Sequence, residues 1–185
     1  MHERETHLIR SLKPNVTQDE ALQTFRAPSS FFWRLRTGPL QRIADAYVPF
    51  RLYRVRYTMN HGKIERIFAM DAVDGSLDLF EFRNIPREQE LVEIQTRNCP
   101  LATLDDLRAQ EILRDKVLRV VFQQGFFKMR DASLEIERLP GEIHLPYWLG
   151  FYGASNVLRC RVMDAVRRRL EGAKASTFFE QWLAA

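Results

Sequence analysis

Two aspartates stand in identical local surroundings, Asp71 in Met70-Asp71-Ala72-Val73 and Asp164 in Met163-Asp164-Ala165-Val166. A pair of carboxylates can divide the roles of general acid and general base, or ligate a metal ion. His144 is the imidazole most readily added to such a set. His61 falls in a predicted tight turn, and His2 and His7 lie in the N-terminal segment. No His-Glu-x-x-His spacing, nucleophile elbow, Walker-type phosphate loop or dinucleotide fingerprint accompanies them. The sequence therefore assigns no catalytic residue, no metal and no cofactor. A structural use competes for the same aspartates: each ends a predicted strand before a turn or helix, where a carboxylate accepts backbone N–H bonds. Repetition favours that use, because a catalytic pair usually becomes asymmetric whereas a duplicated structural device needs both copies.

Anion recognition is the second chemistry on offer. Of the 28 basic residues 23 are arginine, whose planar guanidinium pairs bidentately with phosphate or carboxylate. Two groups provide the candidate binding residues: Arg51, Arg54 and Arg56 in Arg51-Leu52-Tyr53-Arg54-Val55-Arg56-Tyr57, and the cluster Arg167, Arg168 and Arg169. Arginines on phosphates with aromatics stacked on bases would suit a nucleic acid. Strand alternation works against that arrangement, since it puts Tyr53, Val55 and Tyr57 on one face with Arg51, and Arg54 and Arg56 on the other with Leu52. The expectation is one packed face and one solvated face. The 167–169 cluster is expected to open a helix, an electrostatically poor place that could mark an acidic partner. A net charge of only +4 favours arginine-rich codon usage in a GC-rich genome over phosphate or carboxylate recognition as the source of the arginines.

The elements that must position these residues repeat. Before the first aspartate come Phe31-Phe32-Trp33-Arg34 and Tyr47-Val48-Pro49-Phe50; before the second come Phe126-Phe127-Lys128-Met129-Arg130 and His144-Leu145-Pro146-Tyr147. The aromatic pair precedes the proline by 18 and 20 residues and the aspartate follows it by 22 and 18, differences that loop length accommodates. The expected fold is α+β: two duplicated helix plus antiparallel β-meander units with a C-terminal helix. The expected division is a loosely ordered N-terminus over 1–16, a first unit over 17–82, a connector over 83–103 and a second unit over 104–185.

Thr17 caps the first predicted helix, with Asp19 and Glu20 in its first turn and Leu22 and Phe25 on its buried stripe. Strands are predicted over 48–58 and 64–73, then over 77–82 after an Asp74-Gly75 hairpin turn. A strand is also possible over 91–96. Thr103 is read as the cap of the longest helix, which carries Leu107, Leu113, Val117 and Val121 at helical intervals. Extended stretches follow over 126–130, 134–139, 143–152 and 157–166, the last two a hairpin about residues 153–156. A final helix near 170–183 bears Phe178, Phe179 and Trp182, enough aromatic surface to require docking, most simply on its own sheet.

Length and composition set outer bounds. The 185 residues, 45% hydrophobic and 28% charged, suit one globular domain or two small ones. Cys99 and Cys160 alone make neither a disulfide framework nor a cysteine zinc site. No apolar stretch has the length of a membrane span or the pattern of a secretion signal, so a cytoplasmic location without membrane attachment is expected.

The run Ile67-Phe68-Ala69-Met70-Asp71-Ala72-Val73-Asp74-Gly75, a strand ending in Asp-Ala-x-x-Gly, resembles the PepSY-like repeat. That resemblance implies small helix-plus-three-strand modules with binding or inhibitory roles. Arg167-Arg168-Arg169 departs from the pattern by replacing the glycine turn in the second copy. The leading expectation is a non-enzymatic binding or adaptor module with a protein partner or a second copy of itself. The alternatives are a nucleic-acid-associated protein using the arginine-rich sheet face, and a small hydrolase or metal enzyme using Asp71, Asp164 or His144.

Overall fold

A computed structural model of the chain describes residues 5–27, 38–59, 62–123, 134–153 and 159–184. The fold is α+β, as the sequence indicates. In chain order the elements are β1 (His7–Leu12), α1 (Gln18–Arg26), β2 (Leu40–Met59), β3 (Gly62–Asp71), β4 (Phe80–Phe82), β5 (Leu91–Thr96), α2 (Asp106–Gln123), β6 (Leu134–Tyr152), β7 (Arg159–Asp164), β8 (Arg169–Leu170) and α3 (Ala173–Ala184). The strands make one mixed sheet in the order β4-β3-β2-β6-β1-β5, with β7 paired to β6 and β8 to β7. Among the described residues no helix is long and apolar enough to cross a membrane. The aromatic anchors at 31–33 and 126–127 and the turns about His61 and residues 154–156 lie outside the described residues.

Two compact units arise. One comprises the described residues of Met1–Val48, Gln89–Pro100 and His144–Ala185, the other Pro49–Glu88 and Leu101–Ile143. This partition differs from the linear one over 17–82 and 104–185, because each unit takes its helix from one part of the sequence and its hairpin from the other.

In the unit containing Pro49–Glu88, β2 and β3 pair antiparallel from Phe50↔Asp71 to Met59↔Gly62. Alternation puts Tyr53, Val55 and Tyr57 on the inner face, where they meet Phe68 and Met70 of β3 and Ala109, Leu113 and Val117 of α2. The four-residue spacing along α2 aligns these three on one stripe, and Ala109 lets the helix come close to the strands. The cap of α2 is Asp105, whose Oδ1 accepts the Arg108 N–H at 2.9 Å. Thr103, expected to be that cap, instead donates its hydroxyl to the Val73 carbonyl at 2.8 Å. The Asp74-Gly75 step is a bend within a wider loop, and the following strand shrinks to Phe80–Phe82. The reason is Asp71, which gathers the N–H groups of that loop; Gly75 has the expected positive φ of 71°.

In the other unit, β1 pairs antiparallel with β5 from His7↔Thr96 to Leu12↔Leu91, and its Ser11 bridges His144 of β6 in parallel. A strand over His7–Leu12 thus stands where loose order was expected. Its six residues, Leu8, Ile9 and Leu12 among them, make too short a run to carry a clear strand signal, and the pairing that holds it comes from residues far along the chain. Helix α1 has the capping box foreseen at Thr17: the Thr17 hydroxyl accepts the Glu20 N–H, and the Glu20 carboxylate accepts the Thr17 N–H at 2.8 Å. Its Ala21 and Phe25 join Val16, Tyr152, Met163 and Ala165 in the core. Helix α3 buries Ala175, Phe178 and Phe179, and Phe179 meets the Tyr147 ring of β6 edge-on at 5.4 Å. The terminal helix therefore docks on its own unit's sheet. It begins at Ala173, so Arg167 and Arg168 form a turn and Arg169 opens β8. The arginine cluster is not a helix start, and the electrostatic conflict expected there does not arise.

Candidate functional site

The aspartates come first because both are buried, at 0% and 1% exposure for Asp71 and Asp164. Asp71 sits opposite Phe50 at the end of β3. One of its oxygens accepts N–H bonds from Asp74 at 3.1 Å and Gly75 at 2.8 Å, and the other accepts from Leu77 at 2.9 Å. Burial pushes its pKa above the ordinary value, and the three N–H donors oppose that rise. The Lys116 ammonium of α2 donates to the Leu77 carbonyl, tying the loop to the helix.

Asp164 sits opposite Tyr147 at the end of β7. Its Oδ1 accepts the Val166 and Arg167 N–H groups at 2.8 and 2.7 Å, and its Oδ2 receives the Arg167 guanidinium at 2.5 Å. Both carboxylates are spent on the turns that follow their strands, and the two belong to different units. Among the described residues no group of three or more His, Cys, Asp or Glu side chains is placed to hold a metal ion.

The six candidate arginines divide between the units. Arg51 donates to the Leu104 carbonyl at 2.6 Å and to Asp106 at 3.2 Å, with Glu142 at 3.9 Å. Asp106 is also gripped by Arg138 at 2.6 Å through both oxygens. Burial raises the pKa of Glu142 against the pull of Arg51 and Arg138. On the opposite face Arg54 and Arg56 share Glu65 of β3 and Glu137 of β6, at 2.8 to 3.3 Å. In the other unit Arg167 pairs with Asp164 and Glu171, Arg168 reaches Glu20 at 2.7 Å as well as the Asn15 carbonyl, and Arg169 holds Glu171 at 2.9 Å.

Every one of the six thus has an internal acidic partner. That Glu20, Glu65, Asp106, Glu137 and Glu142 would be partners of these arginines is what sequence reasoning missed; Glu171 stands beside its cluster in the sequence. Glu65 and Glu171 lie nearest along the chain to their arginines: the strand register sets Glu65 opposite Arg56, and Glu171 follows Arg169 by two positions.

A cleft of about 470 Å³ opens beside this charged face, lined by Arg56, Lys63, Glu65 and Glu135 with Tyr57 and Ile64. It presents both signs of charge. His144 is not among its lining residues. Its ring Nδ1 lies 3.2 Å from the Arg10 carbonyl, and burial holds its pKa below the usual imidazole value. Cys160 is a buried free thiol pushed up to about 12 by burial and the nearby Glu180 carboxylate, which leaves it a poor nucleophile. A scan against protein-family models and searches of curated proteins and of solved structures found no match to this chain.

Proposed function

We propose that the protein is a non-enzymatic binding or adaptor module that takes a protein partner. The observation carrying this reading is that all six candidate arginines are matched to carboxylates of the same chain. A surface built for a polyanion presents uncompensated cations, because affinity comes from releasing the polymer's counterions. Here an incoming phosphate would have to displace acids already seated. The mixed-charge cleft at Arg56, Lys63, Glu65 and Glu135 better suits a protein surface bearing both signs, where charges supply specificity and orientation. The resemblance to PepSY-like modules points the same way, as does the use of Asp71 and Asp164 as turn acceptors.

The test has two arms. Mixed-sequence single- and double-stranded oligonucleotides are titrated across a salt series, with no binding expected at low salt. Binding that weakens steeply with salt would restore the nucleic-acid reading. Proteins that copurify with the native chain are identified in parallel, and the recovered partner is titrated against the parent and against Arg56→Glu. The variant is expected to bind about tenfold more weakly, the effect of reversing one interface charge. Turnover in a substrate screen that Asp71→Asn abolishes would replace this reading with an enzymatic one.

A further inference from the structure

The resemblance between the two aspartate corners extends well beyond four shared letters. In each, an aromatic residue following a proline lies opposite the aspartate, Phe50 opposite Asp71 and Tyr147 opposite Asp164. In each, the alanine after the aspartate donates its N–H to that proline's carbonyl, Ala72 to Pro49 at 2.8 Å and Ala165 to Pro146 at 3.1 Å.

The helix beside each corner is matched too, once α1 and α2 are aligned on their caps Thr17 and Asp105. Ala21 then falls on Ala109 and Phe25 on Leu113, all four buried. Two residues before each cap, Asn15 and Thr103 donate side-chain bonds of 2.8 Å to equivalent valine carbonyls, Val166 and Val73. One residue before each cap, the carbonyls of Val16 and Leu104 accept from equivalent strand positions, the Trp148 indole at 2.9 Å and the Arg51 guanidinium at 2.6 Å. An indole and a guanidinium doing one job at one position indicate a shared geometry that outlasted the side-chain identities.

The partners are crossed in sequence. Helix α1 stands early in the chain yet serves the Asp164 corner; α2 stands later yet serves the Asp71 corner. We infer that the chain is a duplication of one strand-helix-hairpin repeat whose two copies exchange helices, so that each hairpin is an interaction surface built for the helix of a second copy. The surface accepts a helix with alanine and a large apolar residue four positions apart. It fixes that helix at its entry through the valine carbonyl and the donor on the strand. At the exit of α1, the Tyr152 hydroxyl adds a bond to the Phe25 carbonyl at 2.7 Å.

Amide hydrogen exchange on the full-length chain tests the crossing. Asn15→Ala is expected to accelerate exchange about fivefold or more at the Ala165 to Arg167 amides, the consequence of losing one hydrogen bond, and to leave Ala72 to Leu77 unchanged. Thr103→Ala should do the reverse. The interchange variants Asn15→Thr and Thr103→Asn test the equivalence, and each should keep protection within about twofold of the parent. The inference is overturned if either alanine change is read at the corner of its own half, at both corners alike or at neither, or if the interchange variants exchange as fast as the alanine ones.

Discussion

The Asp71 and Asp164 corners place the same carboxylate at the same register and then satisfy it differently. Asp71 receives three backbone N–H groups from a loop that runs on to Leu77. Asp164 receives two N–H groups and a guanidinium from a turn that closes within three residues. Neutral donors spread over six residues demand a long loop and a glycine at positive φ. A cation supplied by the turn itself permits a short one, and Arg168 takes the positive φ of 58° there. The difference matches the presence of the Asp-Ala-x-x-Gly pattern at the Asp71 corner alone of the two: where arginine neutralises the carboxylate, the glycine loop is unnecessary.

That contrast can be broken by substitution. Asp164→Asn should be the more damaging change, lowering stability by about 3 kcal/mol in urea unfolding, because it removes the nearest acid from the partly buried Arg167 and leaves it with Glu171 at 3.5 Å. Asp71→Asn should cost about 1–3 kcal/mol, since the amide keeps one acceptor oxygen and turns its NH₂ toward an N–H it cannot bond. Equal losses would mean that Arg167 contributes nothing beyond another donor. Gly75→Val should cost about 1–3 kcal/mol through strain at positive φ, increased by contact of the new Cβ with Ile112 at 3.1 Å. A melting temperature within error of the parent would show that the Asp71 loop tolerates rearrangement.

The smallest expected effect concerns pH. His144 has a pKa held below its unfolded value of 6.5, so the native state disfavours its proton. Its contribution to stability is present above that value and lost as pH falls through the folded pKa. The groups bearing on it are His7 and the Arg10 carbonyl of β1. Urea midpoints at about pH 7.5 and about pH 5 should differ less for His144→Gln than for the parent. An unchanged difference would place the acid sensitivity elsewhere, with the carboxylates as the next groups to test.

Much of this was legible before the fold. The period-two pattern of Tyr53, Val55 and Tyr57 identified the buried face of β2, and Thr17 with Glu20 identified the start of α1, because both signals are local. Thr103 misled as a cap because it precedes Asp105, a stronger acceptor, and because its carbonyl partner Val73 is thirty residues away. The 167–169 arginines misled because they were expected to open a helix, whereas they form a turn and the start of β8. Read alone they are a cationic cluster, and only contacts with Asp164, Glu171 and Glu20 turn them into internal braces. The Met-Asp-Ala-Val repeat was plain in sequence, while the matching helix positions were invisible, since Ala21 and Phe25 against Ala109 and Leu113 share one residue type in two.

The sequence by itself determined the α+β class, the strand faces, the cap of α1 and the stations of Asp71 and Asp164 as acceptors at strand ends. Each follows from periodicity or from hydrogen bonds within a few residues along the chain. Tertiary structure decided which helix serves which hairpin, that β1 is a strand at all, and that the arginines are neutralised. The helix placements and the pairings of Arg51 and Arg168 join residues separated by 53 to 151 positions, and no local pattern records which of several compatible partners a helix or a guanidinium will meet. Arg56, Arg167 and Arg169 find acids within nine residues, but which side chains turn toward one another depends on the strand register and turn that hold them.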